Sequence, residues 1–381
     1  MKKFGLFLIG LLMLTSCSAV KTMKVTITNP SGADKTNEMV SVEWNKLVEK
    51  LVLKDAETFV VKNEAGVQVP YQIIYNGETT PQSVIFPASV SKGLTVDYTI
   101  SIGTPEEFAP RTFGRSVPER KDDFAWENDR VVFRMYGPAL ANENPSNGVD
   151  LWLKKTDSLI IDRFYKDDLA RVRSYHVDHG SGLDCYKVGH TLGAGGVAPY
   201  LNDTLWIGGF YARANVIESG ALRTSFVLEY DSILVSGKIL TQRLEVTLDA
   251  YSQFNKAVVS YDGDFDGFEV VPGIWLHNEG RVMGVVKTGA DYIAYAEKAT
   301  SDAGLDAGRN YVGVIIPEGM KETRKQNEHQ FGLVDYKKGD KFIYYFGGGW
   351  NQWGFDTDEA WFNHVDGYAV GIKQPLQVTV Q

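Results

Sequence analysis

Cysteine and histidine are scarce in this sequence, and positive charge is in deficit. Of 381 residues only two are Cys and six are His, and the formal charge at neutral pH is −9. That balance excludes nucleic acid or an anionic membrane surface as a general partner. It leaves room for an acidic polysaccharide, because a local arginine can bind carboxylates inside a negative whole. No repeat of fixed period and no low-complexity tract is present, so arrays and solenoids are excluded. The histidines fall in no standard zinc spacing, and Gly193-Ala194-Gly195-Gly196 lacks the Lys-Ser/Thr pair of a phosphate loop. The apolar run from Phe4 to Leu14 is too short to stay in a bilayer as a spanning helix.

Lys2 and Lys3 precede that run and Leu14-Thr15-Ser16-Cys17 closes it, a pattern that resembles a bacterial lipoprotein signal. Residues 1–16 are then removed, and Cys17 becomes the acylated N-terminus and the lipid anchor. No acid stands at Ser18 or Ala19, so the cues for inner-membrane retention or surface display are missing. The expected location is the periplasmic side of the outer membrane. Cys185 is then the remaining thiol, which excludes an intramolecular disulfide and leaves stability to the core. The length suits about two domains.

Period-two alternation dominates. Val25 and Ile27, Val40 to Trp44, Val67 to Tyr71, and Val96 to Ile102 predict a small immunoglobulin-like β-sandwich over 23–103. Leu47, Val48, Leu51 and Val52 have the spacing of a short helix. Pro105, Pro110 and Pro118 mark 104–125 as an extended connector. Across 126–381 the alternation continues through Val131, Phe133 and Met135, through Leu244 to Leu248 and Phe342 to Phe346, and into the closing Leu376, Val378 and Val380. The segment Asp157 to Arg171 reads as a helix capped by Thr156 or Asp157. The chain is expected to be all-β: the small sandwich followed by a large antiparallel β-supersandwich with minor helical insertions.

Chemistry concentrates in Ser174–Gly196, where three histidines, two aspartates and two tyrosines gather. Three readings compete. In the first, His176, His179, Tyr186 and His190 supply acid and base. In the second, His176, His179 and His190 with Asp178 or Asp184 hold a divalent metal, although no cofactor is firmly implied. In the third, they are scaffold for a long loop. Arg134 lies on a strand face with Val132 and Tyr136, where it either clamps a sugar carboxylate or pairs with an internal acid such as Asp129 or Asp150. The further binding candidates are Tyr136, Arg173 and Asp184, with Trp350, Trp353 and Trp361 as platforms for sugar rings and Asp356 to bond hydroxyls.

Pro118–Leu140, Tyr175–Gly196 and Trp350–Gly367 together resemble the domain of unknown function 4861 family, found in exported proteins of polysaccharide-degrading bacteria. The resemblance implies a galactose-mutarotase-like supersandwich and, by association with pectin-degrading neighbours, a uronate substrate. Fold does not choose the reaction. The expectation is a periplasmic lipoprotein enzyme acting on uronic-acid-containing oligosaccharides by β-elimination. The alternatives are a non-catalytic glycan-binding lipoprotein, and a sugar hydrolase or mutarotase on the same fold.

Overall fold

The computed structural model describes residues 21–54, 56–142 and 146–381, with every side chain among them except that of residue 279. The expected signal at 1–16 and the acylation site Cys17 lie outside the described residues.

Alternation becomes strand as expected. In Thr22–Thr28 the side chains of Met23, Val25 and Ile27 are fully enclosed, and every second residue turns outward. This strand pairs with Thr95–Ile102, which pairs with Phe59–Lys62. A second sheet is built from Lys35–Glu43, Ser83–Val90 and Gln72–Ile74. Met23, Val40, Phe59, Phe86 and Ile100 fill the space between the two. The predicted helix forms at Trp44–Leu51, burying Leu47 and Leu51 and ending on Val52 in the left-handed conformation.

Two boundaries differ from the sequence reading. The final strand, Gln377–Val380, pairs with Thr22–Thr28 of the small sandwich and places Val380 opposite Val25, while Leu376 enters that sandwich's core. Alternation identifies a strand without naming the edge it joins. The proline-rich connector is irregular only to residue 111; Thr112–Val117 and Asp123–Asn128 already belong to a sheet of the large domain. Polar contacts bind the two units together. The Gln72 Oε1 accepts from Leu222 N and Arg223 N, each at 2.8 Å, and Glu218 accepts from Tyr75 N at 2.7 Å. Gly220 allows the approach, since a Cβ there would lie 2.2 Å from the Gln72 side chain.

In the large domain an eight-stranded sheet runs from Arg213–Ser219 at one edge to Val285–Thr288 at the other. Its inner face packs on two five-stranded sheets. The shared core holds Phe124, Trp126 and Phe133 from one, Val270 and Ile274 from the other, and Phe226, Val312 and Phe346 from the large sheet. Each fully buried aromatic or branched side chain contributes about 1.5–3 kcal/mol. The outer face is covered by the helix Asp358–Ile372, which lays Trp361, Phe362 and Val365 on Phe254, Ala294 and Tyr311. Thr357 caps it, accepting from Ala360 N at 3.1 Å.

The helix predicted near 157–171 spans Ile161–Leu169. Its cap is neither Thr156 nor Asp157. The buried Glu127 accepts from Ile160 N at 2.7 Å and Ile161 N at 2.8 Å, and its other oxygen holds the Lys154 ammonium at 2.7 Å. A carboxylate from a distant strand satisfies the orphan amides better than a hydroxyl on the helix's own flank.

Candidate active site

A cleft of about 450 Å³ opens where three segments distant in sequence converge: Cys185–Lys187, Trp275–Val282 and Glu297–Asn310. Alternation in Tyr292–Thr300 turns Tyr295 and Glu297 to the inner face, and antiparallel register sets Asn310 directly opposite Glu297. Asn310 Nδ2 donates to the Glu297 carboxylate at 3.1 Å. The same carboxylate lies 3.0 Å from His277 Nδ1, and His277 Nε2 faces the main-chain carbonyl of Lys187. Trp275 and Tyr186 clamp the imidazole, with ring centroids 4.1 and 4.4 Å away.

This geometry has a protonic consequence. A main-chain carbonyl only accepts, so Nε2 carries a hydrogen. A carboxylate also only accepts, so the contact at Nδ1 needs a second proton, held either by the ring or by Glu297. The pair therefore shares one proton at the cleft wall. His277 and Asn278 both have positive φ, 26° and 56°. Strain of this kind is retained where the surroundings over-determine a residue's position.

Outside the cleft lining, His176 is linked to Lys187 through Asp302. Its Nδ1 meets the Asp184 carbonyl at 3.1 Å, so Nδ1 carries the hydrogen and Nε2 keeps a lone pair, with no protein partner among the described residues. Burial pushes the imidazole below the usual histidine range, outweighing the Asp184 carbonyl and the Asp302 carboxylate. Asp302 lies 3.6 Å from His176 Nδ1 and is ion-paired with the Lys187 ammonium. Burial opposes the Lys187 charge, yet Asp302 more than offsets it and holds the ammonium above its ordinary value. A persistent cation and a proton-bearing dyad thus line one hollow, and a neutral imidazole is tied to that cation through Asp302. These are parts for moving protons on and off a bound substrate.

Tyr186 is placed differently from its expected catalytic role. It is buried, donates to the Trp275 carbonyl at 3.3 Å, and burial drives its ionisation far up. It is the wall behind His277. His179 and His190 are exposed, on turns away from the cleft lining. The chain from 175 to 181 runs through turns and bends, with no strand carrying His176 or His179. The expected metal set does not assemble: Asp178 is ion-paired with Lys155 and Asp184 with Arg134. Among the described residues no group of three or more His, Cys, Asp or Glu is arranged to hold a metal.

The sequence profile of the family described as Domain of unknown function (DUF4861) matches residues 27–378. The chain belongs to the DUF4861 family. A Formosa agariphila relative of the DUF4861 chain, described as Uncharacterized protein P7, is 30% identical over 286 residues, covering 71% of this chain and 70% of its own. Among solved structures, an Enterococcus faecalis protein in the Glycosyl Hydrolase Family 38 superposes with a TM-score of 0.50 at 9% identity, over 95% of this chain and 47% of that one. An alpha-mannosidase from the same organism gives 0.47 at 9% identity, over 95% and 46%. The DUF4861 chain thus spans about half the length of the Glycosyl Hydrolase Family 38 protein and shares its fold.

The binding residues expected from the DUF4861 sequence are largely structural. Arg134 is 1% exposed, and its Nη2 meets Asp150 at 2.7 Å and Asp184 at 2.9 Å, with Asp123 4.0 Å from Nε. The Tyr136 hydroxyl accepts from the same guanidinium at 2.8 Å. Arg134, Tyr136 and Asp184 therefore form a buried cage that fixes the strand leading into Cys185, and no guanidinium face is left for substrate. Burial lifts Asp150 to about 7 and Asp123 to about 6, with Arg134 pulling each back down. Arg173 and Asp356 are exposed outside the cleft lining. Trp350 and Trp361 are core: their indole nitrogens donate to the Ala307 carbonyl at 2.6 Å and the Val312 carbonyl at 3.1 Å. Trp353 is half-buried with its indole nitrogen enclosed and unpartnered. An indole whose faces pack on Tyr311 and Phe254, as in Trp361, presents no face to a sugar.

His277, Glu297, Trp275, Asn310 and Lys187 went unrecognised in the sequence. Trp275-Leu276-His277-Asn278 carried the available signal: an aromatic and a histidine two apart at a strand end, followed by Asn, a residue that tolerates positive φ.

Proposed function

We propose that this chain is an exported, lipid-anchored carbohydrate-active enzyme at the periplasmic side of the outer membrane, cleaving uronic-acid-containing oligosaccharides by β-elimination in the cleft around His277. The observation that carries the reading is the proton-sharing His277–Glu297 pair in the cleft lining beside Lys187, which Asp302 links to His176, whose Nε2 has no protein partner among the described residues. A fold shared with a Glycosyl Hydrolase Family 38 protein supports a glycoside as substrate. Trp275 in the cleft lining supplies an aromatic shelf for a pyranose ring.

In this reading the His176 Nε2 removes the proton beside the uronate carboxylate, and the electron pair of that C–H bond is stabilised as an enediolate by a cationic side chain. The pair then forms the new carbon–carbon double bond as the glycosidic C–O bond breaks. The leaving oxygen takes the proton stored between His277 and Glu297. Solvent afterwards takes the proton from His176 and restores the dyad.

The test is incubation with oligogalacturonides and related uronides, following the ultraviolet absorbance of the new double bond. Absorbance should rise with wild-type protein and be lost in His277→Ala and His176→Ala. No signal on any uronide would remove elimination from the account. Retained affinity with lost turnover in those variants would contradict a purely binding role.

A further inference from the structure

Resting on that reading of the cleft, we infer that Arg281 is the specificity-determining residue: its guanidinium takes the carboxylate of an acidic sugar, so the substrate class is anionic and not neutral. The charges lining the cleft support this choice by elimination. Lys187 is ion-paired with Asp302, Lys298 with Asp306 at 3.3 Å, and Glu297 with His277. Arg281 lines the same cleft and is exposed, and its side chain makes no hydrogen bond or ion pair among the described residues. Glu328 also lines the cleft, with no ion pair to Arg281. A guanidinium presents five donors in a planar fork that matches a carboxylate through two parallel hydrogen bonds, a match a lysine cannot make.

The backbone that carries Arg281 is held on both sides. Leu276 N donates to the Glu328 carbonyl at 2.8 Å, Arg281 N to the Asn278 carbonyl at 2.9 Å, and Arg309 Nη1 to the Met283 carbonyl at 3.0 Å. Three non-glycine residues of this short turn, His277, Asn278 and Met283, have positive φ. One turn therefore delivers both the proton-bearing His277 and an unpaired cation to the same hollow. The other candidate arginines do not compete, since Arg134 is sealed in its cage and Arg173 lies outside the cleft lining.

The experiment compares wild type, Arg281→Lys and Arg281→Gln by calorimetry with an oligogalacturonide and with the same oligosaccharide after reduction of its carboxylates to alcohols. Wild type should bind the charged ligand and prefer it over the reduced one. Arg281→Gln should weaken the charged ligand by about tenfold or more and leave the reduced ligand unchanged, with Arg281→Lys restoring only part. Equal affinity of wild type and Arg281→Gln for the charged ligand would overturn the assignment while leaving the cleft as the site. Wild type that binds only the reduced ligand, or neither, would overturn both this assignment and the uronide reading. Melting curves of the three proteins should coincide, because the side chain is exposed and has no partner among the described residues.

Discussion

Glu297→Gln separates chemistry from architecture. Glutamine keeps the size of the side chain, and its carbonyl oxygen can face Asn310 Nδ2 as the carboxylate does now at 3.1 Å. Its NH2 then points at His277 Nδ1, which must accept, while Nε2 still donates to the Lys187 carbonyl. Every hydrogen bond at the site survives, but the second proton is gone and the ring is fixed neutral. Stability should change by no more than about 1 kcal/mol, a melting shift of roughly 2–4 °C. Turnover should fall by about a hundredfold to ten-thousandfold, the worth of a positioned acid. Glu297→Ala, by contrast, strands Asn310 Nδ2 and His277 Nδ1 and opens a cavity beneath them, costing roughly 3 kcal/mol or more. Calorimetric melting and initial rates on a uronide suffice as assays. Near-normal turnover in Glu297→Gln would refute the proton-storage argument, and a large loss of stability in the same variant would refute the donor and acceptor accounting.

Other outcomes follow from the same structure. Because burial disfavours the His176 imidazolium, the base form persists below the usual histidine range; the acid limb of kcat/KM should lie below that range and disappear in His176→Ala along with most of the rate. Asp150 titrates near 7 in the folded chain against 3.8 unfolded, so the native state holds the extra proton between those values. Its contribution to stability is therefore greatest at acid pH and declines as pH rises towards 7. Urea midpoints for Asp150→Asn should show a flatter decline between roughly pH 4 and 7 than wild type, and parallel curves would count against this. Trp361→Ala should cost about 3–5 kcal/mol and spare the affinity of whatever folds. Trp275→Ala should raise KM with a smaller effect on melting, and the reverse pattern would exchange the roles assigned to the two indoles.

Local patterns were readable where a residue's environment depends on its own strand. The enclosed Met23, Val25 and Ile27 follow from alternation alone, and the short helix at Leu47 and Leu51 from their four-residue spacing. What was hidden depends on pairing at a distance. Whether Arg134 meets a substrate or a protein carboxylate is decided by Asp150 on the next strand and Asp184 on the one beyond. The histidine-dense segment Ser174–Gly196 contributes Cys185 and Lys187 to the cleft lining but none of its three histidines. The decisive imidazole, His277, sits alone in sequence. Its significance arises because a turn with positive φ swings it over Glu297, on a strand twenty residues later.

Mass spectrometry of wild-type products formed in heavy-oxygen water tests the central claim most directly. Elimination redistributes existing atoms, so the account predicts fragments whose masses sum to that of the substrate, one fragment unsaturated and none carrying solvent oxygen. A fragment heavier by one labelled water would mean hydrolysis at this cleft and would contradict the account.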